Sequence, residues 1–479
     1  MKLKKEIRVD GRKFNHNKKI IAIQGLGFVG SVMALICANA DKDNLVFGID
    51  LPIKQSKSKI NDLNNCKFPF KSEDKNISIF HKKSIIQKNF YCTTSLEPYK
   101  YADTIIININ LDVKKKSNKI NKLISYDVDL KNFKKAIKTI GENCKSNALI
   151  ILESTVPPGT TEKIVKPIIM ENLLKRNLTT NKIKIAHSYE RVMPGKDYIN
   201  SIKNFYRVFS GIDKKSAIAV KTFLETIINT KKYPLTELNK TTESEIAKVL
   251  ENSFRATNIA FMVEWTRLAE KMGSNVYNIV NTIRKRPTHK NIMYPGIGVG
   301  GYCLTKDSLL AEWSLNNIFK INQKLDFSFN AIKTNDLMPY FSSKFFKSVI
   351  KKFKNKKKNI LLLGCAYAPG IGDTRNSPVE IFYNQIKNKY FKINVSDPYV
   401  DFWDEKKIKT KQLSNKLLKE TDFLVISTGH NEYKNNNKLI KQIIKFKVKV
   451  IDLIGIFREN QVNQLKKFNL IKVLGRGDL

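Results

Sequence analysis

Short apolar runs alternate along this chain with stretches whose apolar residues recur at helical spacing, and the alternation stops and restarts once. From residue 19 onward, "KIIAIQG" (19–25), "LVFGID" (45–50), "TIIININ" (104–110), "ALIILES" (148–154), "KIKIAHS" (182–188) and "YRVFSG" (206–211) read as buried strands. Near-continuous apolar strands separated by helical patterns predict a parallel sheet covered on both faces. The period then becomes helical: "SEIAKVLENSFRATNIAFMVEWTRLAEKMG" (244–273) predicts one long helix closed by Gly273. Another helix starts near Cys303, and a third covers 327–353, ending in the charge run "KKFKNKKK". Beyond it a second strand series begins, with "NILLLGCAY" (359–367), "KINVSDPYV" (392–400), "DFLVIST" (422–428) and "VKVIDLIG" (448–455). The predicted architecture is α/β, two Rossmann-like doubly wound domains joined by a helical central domain. The expected boundaries are 1–213, 214–345 and 346–479.

Length agrees with this division, since 479 residues exceed what one ordinary core supports. No apolar run is long enough for a transmembrane helix. The first residues, "MKLKKEIRVDGRKFNHNKK", are basic and lack the apolar core of a signal peptide, so a cytoplasmic protein is expected. Six cysteines without a C-x-x-C pair point to reduced thiols and to no metal site. The net charge of +43 raises the question of nucleic acid. Lysine far outnumbers arginine, however, and is spread over the whole length. Base-edge readout favours arginine, so no specific nucleic-acid partner is expected.

"GLGFVG" places Gly25, Gly27 and Gly30 around Phe28 and Val29, after a strand and before the apolar helix "SVMALICANA". That context predicts a pyrophosphate held at a helix N-terminus. Asp50, at the end of the next strand, is placed to bind a ribose 2′-hydroxyl and to repel a 2′-phosphate, which selects NAD over NADP. "ESTVPPGTT" (153–161) leaves Glu153 and the hydroxyls of Ser154 and Thr155 at the carboxyl end of a strand, where α/β sheets bind ligands; a capped turn is the bland alternative.

Lys248 and Asn252 share one helix face at i, i+4; they make either a solvated face or an oxyanion site. In "PGIGVGGYCLTKD" (295–307), Cys303 is expected at a helix start that favours thiolate, with Asp307 one turn later. A thiolate beside NAD permits capture of an aldehyde, its oxidation to a thioester, and hydrolysis to a carboxylate.

These motifs, with "AKVLENSF" and "GDTRNSP", stand in an order that resembles the UDP-glucose/GDP-mannose dehydrogenase family from residue 19 to about 457. The resemblance implies an NAD domain, a helical dimerisation domain and a domain for the nucleotide sugar. It implies a homodimer that oxidises C6 of a UDP-sugar twice and feeds surface-polysaccharide synthesis. By motif, Cys303 matches the nucleophile and Lys248 with Asn252 the oxyanion and water-positioning pair. Asp307 matches the proton-transfer carboxylate and Glu153 the residue assisting hydrolysis. Arg375 matches an arginine near the cofactor, as does Thr155 a cofactor contact. "SYERVMPGKDY" (188–198) resembles the loop of members that take UDP-N-acetylhexosamines, so Glu190, Arg191 and Val192 are expected at the substrate, along with Tyr294 and Gly300.

Two departures stand out. "NINLDV" (108–113) replaces a Thr-Pro-Thr-like turn, with Asn110 as its nearest substitute, and Tyr367-Ala368 replaces a Phe-Lys pair. A two-electron hydroxyacid dehydrogenase of the 6-phosphogluconate type would use neither "GGYCLTKD" nor the second strand series. A basic nucleic-acid-binding scaffold would not need every catalytic position filled.

Overall fold

The computed structural model describes residues 6–15, 17–70, 72–193, 195–353, 356–434 and 436–479. They fall into two units. The first runs to Lys114, resumes over 127–250 and takes in 310–324; the second comprises 115–126, 251–309 and 325–479.

The first unit is built on an eight-stranded sheet. From one edge its strands are Thr236–Glu237, Val208–Gly211, Lys184–His187, Leu149–Leu152, Thr104–Ile107, Lys19–Gln24, Asn44–Ile49 and Phe90–Thr93. The six from Lys184–His187 to Phe90–Thr93 follow the order of a dinucleotide-binding sheet, the strand order reversing between the parallel neighbours Lys19–Gln24 and Thr104–Ile107. Only Lys184–His187 and Val208–Gly211 pair antiparallel among its registered neighbours. All six expected strands are present, trimmed at their ends. Phe90–Thr93 is an addition: the run "FYCT" is short, and its place comes from pairing with Asn44–Ile49.

The basic N-terminal segment is described from Glu6 onward. Glu6–Val9 and Arg12–Asn15 form an antiparallel hairpin across Asp10-Gly11, both left-handed (φ 49 and 75°). An Asp-Gly pair is the residue choice such a turn requires. Alternation sends Ile7 and Val9 inward, where both are fully buried in a core with Phe47, Tyr99 and Ile105. Asp10 accepts a hydrogen bond from the Thr93 hydroxyl at 2.6 Å and so ties the turn to the edge strand.

The boundary expected at residue 213 moves later. The helix Lys214–Ile227 buries Val220, Phe223 and Leu224 in the core of the first sheet, and Thr236–Glu237 extends that sheet. The expected division at 345 is likewise not a break between units, because 325–479 lies in the second unit as one stretch.

The second unit carries the helix Asp326–Val349 and a five-stranded parallel sheet ordered Phe391–Ser396, Lys358–Leu363, Phe423–Ile426, Lys449–Asp452 and Ile471–Val473. This too is a doubly wound order, with its reversal between Lys358–Leu363 and Phe423–Ile426. The long helix spans Thr241–Lys271, close to expectation, and Gly273 beyond it is left-handed (φ 67°). No helix among the described residues is long and apolar enough to cross a membrane.

The burial of Ile7 generates a test. Ile7→Ala is expected to lower unfolding stability by about 3 kcal/mol, read by chemical denaturation, because it opens a cavity under the sheet. A loss below about 0.5 kcal/mol would show the hairpin to be ornamental.

Candidate functional site

In the first unit the crevice at the strand reversal fits a dinucleotide. Gly25 is left-handed (φ 94°), and a Cβ there would collide with the Asn108 carbonyl; one on Gly30 would collide with the Gly25 carbonyl. Gly27 faces open space and precedes the helix Phe28–Ala40, whose N-terminus has no side-chain cap. Its first N–H groups, with Phe28 and Val29 in that turn, can therefore meet a phosphate. Asp50 follows Asn44–Ile49 as expected, but its carboxylate also accepts from Lys59 Nζ at 2.7 Å. Lys59 bonds the Leu26 carbonyl as well (3.2 Å) and went unnoticed in the sequence. Asn110 is exposed, whereas the amide nitrogen of Asn108 is buried beside these glycines with no partner. Asn108, rather than Asn110, is the donor this crevice offers.

The "ESTVPPGTT" loop is tied down from two sides. Ser154 Oγ accepts from the Ile109 N–H at 2.8 Å. Glu245, on the long helix, accepts from the Gly159 N–H (2.5 Å), the Thr161 N–H (2.8 Å) and the Thr161 hydroxyl (2.6 Å). Burial pushes the Glu245 carboxyl up to about 7. Thr155 stays half-buried in this loop. Glu153 is not presented to a ligand: its carboxylate is buried and paired with the buried Arg207 guanidinium, which also donates to Ser188 Oγ at 3.0 Å. The guanidinium holds one oxygen of this carboxylate inside the core, and the second oxygen is buried with no hydrogen-bond partner.

Glu190 takes the more chemical position. Lys248 Nζ donates to its backbone carbonyl at 2.7 Å and lies 4.0 Å from its carboxylate, with both side chains nearly buried. Arg191 is held to the Tyr206 carbonyl (2.7 Å) and the Tyr189 hydroxyl (3.0 Å), so it anchors this loop. The Val192 N–H donates to the Glu190 carboxylate. Beneath Lys248, His187 is fully buried with Nδ1 2.7 Å from Ser244 Oγ. Burial first, and then the Lys248 charge, push its pKa down to about 3.

In the second unit Cys303 is exposed, on a turn. It does not begin a helix: the regular helix is Ser308–Asn317, five residues on. Instead the Cys303 carbonyl accepts from the Lys306 and Asp307 N–H groups (3.1 and 2.9 Å), a turn that leads directly into that helix. Within it Lys306 and Asp307 pair with each other (2.9 Å), and Asn252 Nδ2 donates to the other Asp307 oxygen at 2.8 Å. Asp307, Asn252 and Lys306 are all buried. A Cβ on Gly300 would lie 2.6 Å from Tyr367 Cβ, so this glycine serves packing of the loop on Tyr367. Arg375 is forked on Asp373 (2.9 and 2.7 Å), which raises its already high pKa.

The second sheet's reversal opens into a cavity of about 670 Å³. Its lining includes Tyr277, Tyr294, Thr428, Lys434 and Arg458. The rings of Tyr277 and Tyr294 stack at 6.1 Å, with Arg284 over Tyr294. Aromatic faces beside cations suit a nucleoside diphosphate. Among the described residues no cluster could hold a metal ion.

Comparison with known proteins gives the same division of labour. Residues 19–228 match the NAD binding domain of the UDP-glucose/GDP-mannose dehydrogenase family, 242–336 its central domain and 361–459 its UDP binding domain. A UDP-N-acetyl-D-mannosamine dehydrogenase of Pyrococcus horikoshii is 31% identical over 96% of this chain and 100% of its own length. One from Methanocaldococcus jannaschii is 33% identical over 90% of each chain. The solved structure of the UDP-D-ManNAc dehydrogenase from Pyrococcus horikoshii superposes with a TM-score of 0.79 at 29% identity, covering 96% of this chain and 100% of that one.

His187 supplies a pH prediction. Its folded pKa lies below its ordinary value of 6.5, so the unfolded chain binds the proton first. The stabilisation is complete above 6.5 and is lost as pH falls toward 3, with a limiting slope of about 1.4 kcal/mol per pH unit. Denaturation measured between pH 7 and 4 should show this component in the wild type and lack it in His187→Gln.

Proposed function

The chain belongs to the UDP-glucose/GDP-mannose dehydrogenase family, an NAD-dependent oxidoreductase, and from that premise we propose that it oxidises C6 of a UDP-N-acetylhexosamine to the uronic acid through a thioester on Cys303. The observation that carries this reading is the Cys303 turn: an exposed thiol one turn from a buried carboxylate that Asn252 and Lys306 hold by both oxygens. The relatives' names make the manno sugar the first substrate to test.

NAD, held at the Gly25–Gly30 turn with Asp50 and Asn108, supplies the hydride acceptor for both oxidations. Arg375 and Thr155 remain proposed contacts to it. The C6 alcohol first loses a hydride and a proton to give the aldehyde. The Cys303 thiolate adds to that carbonyl, forming a C–S bond and a thiohemiacetal alkoxide. Loss of a second hydride makes the thioester. Water then attacks, its proton passes to a base, the C–S bond breaks, and the carboxylate leaves with the thiolate restored. Lys248 and Asn252 stabilise the developing oxyanion by charge and by hydrogen bond. Asp307 receives the proton of the reacting alcohol. Glu190, beside Lys248, replaces Glu153 as the carboxylate that serves hydrolysis. Tyr294 and Gly300 border the nucleotide end, and Arg191 with Val192 shape the loop that takes the sugar. NAD and nucleotide sugars as substrates put the reaction in the cytoplasm.

The long helix also leaves Leu250, Phe254, Phe261, Trp265, Leu268 and Met272 exposed at spacings of three, four and seven. A stripe with that period suits a second copy of the same helix, hence a homodimer.

Two experiments check these readings. With NAD and a panel of UDP-sugars, the wild type is expected to form two NADH per sugar, and Cys303→Ser to stop short of the acid. One NADH per sugar, unaffected by the substitution, would restore the two-electron hydroxyacid reading. For assembly, Phe261→Glu with Trp265→Glu should convert a dimer to a monomer in light scattering, whereas an unchanged mass would place the interface elsewhere.

A further inference from the structure

The segment that replaces the expected Thr-Pro-Thr-like turn forms a hairpin, Asp112–Ser117 and Leu123–Asp129, whose tip (115–126) belongs to the second unit. The turn is made by Asn118 and the left-handed Asn121 (φ 64°). Lys115 Nζ donates to both oxygens of Asp336 at 2.8 Å and to the Thr305 carbonyl at 3.2 Å. An ammonium has three protons, so this set satisfies it. Asn121 Nδ2 adds a bond to the Asp336 backbone carbonyl at 2.9 Å. Asp336 is thus held by the tip through side chain and main chain together, and the side chains of Lys115 and Asp336 are 25% and 10% exposed.

Thr305 stands two residues after Cys303. Its hydroxyl is 3.1 Å from the Gly301 carbonyl and 3.3 Å from the Tyr302 carbonyl, on the other side of the cysteine. Lys115 therefore grips a residue whose own side-chain bonds span the cysteine. The turn has no regular helix of its own to stiffen it, and it follows Gly300 and Gly301, so its geometry depends on ties from outside.

We propose that Lys115 is a positioning residue for the Cys303 turn, holding it through the Thr305 carbonyl and Asp336; this rests on the thiol chemistry proposed above. The hairpin then takes part in the reaction indirectly, by keeping the nucleophile in the geometry that attack requires. Misplacement of a reacting group by about an ångström costs on the order of a hundredfold, so a partial loosening should cost about tenfold.

The test is Lys115→Met in the full-length protein, with Lys115→Arg as the conservative variant and the exposed neighbour Lys116→Met as control. We expect kcat to fall about tenfold in Lys115→Met with KM for NAD unchanged, partial recovery in Lys115→Arg, and no effect of Lys116→Met. Hydrogen exchange followed by mass spectrometry should quicken in peptides covering 301–308, where the Lys306 and Asp307 amides bond the Cys303 carbonyl, and not elsewhere. Unchanged kcat, unchanged local exchange, or quickening throughout the chain would each overturn the proposal. If Lys115→Met fails to fold, Asn121→Ala loosens the same clamp and is read in the same way. Local exchange is independent of turnover. If Cys303→Ser keeps full activity while Lys115→Met still loosens 301–308, the thioester reading fails and the clamp alone stands.

Discussion

One face of the helix Thr241–Lys271 holds the first unit's chemistry in place. Ser244 meets His187, Glu245 takes three hydrogen bonds from the "PPGTT" turn, and Lys248 reaches the Glu190 carbonyl. Lys248 stands four residues after Ser244 and three after Glu245, so the helical period brings it onto one side with each of them. Each is polar and buried, Ser244 bonded to strand residues and Glu245 and Lys248 to loops. A loop at the end of a strand has little stiffness of its own, and the helix supplies it. One turn beyond Lys248 the same face presents Asn252, which in the second unit bonds Asp307.

Buried charge is the second organising feature. Arg207 and Glu153 form an ion pair in the core of the first unit, and desolvation pulls the guanidinium down to about 9. Such a pair contributes little net stability against an apolar replacement, but removing one partner leaves the other stranded. Its bond to Ser188 Oγ fixes the start of the 188–198 loop. The same logic explains His187, kept neutral under Lys248, and Glu245, whose carboxyl is raised by burial although three donors face it. These groups organise the loops around Lys248 and Glu190 without themselves presenting charge to a ligand.

The two sheets show how far local pattern reaches. Continuous apolar runs such as "KIIAIQG" and "NILLLGCAY" announce their strands, since a strand buried on both faces needs no cross-chain information to be recognised. Phe90–Thr93 and the hairpin Glu6–Asn15 were not legible in that way. The first is four residues that gain their meaning from the neighbour they pair with. The second alternates apolar and basic residues, and its charge masks the inward Ile7 and Val9. The surroundings of Glu153 lie beyond local pattern for a related reason: a motif gives the residue's place in the chain, while its partner Arg207 lies 54 positions away. Asn110 and Asn108 differ by two residues and so by nothing that spacing can resolve, yet one is exposed and the other keeps a buried, unpartnered amide beside the glycine turn.

The amino-acid sequence by itself determined the family, the fold class and the dinucleotide turn, and it put forward Cys303, Lys248, Asn252 and Asp307 as candidates for the chemistry. Those features are local in period or in spacing, and local rules read them. Only tertiary structure decided which carboxylate faces Lys248, that Asn252 holds Asp307, that Lys59 shares Asp50, and that a hairpin lysine holds Thr305. Each of these is a meeting of side chains far apart in the chain, and the energy of such a meeting depends on burial and distance, which sequence order does not contain.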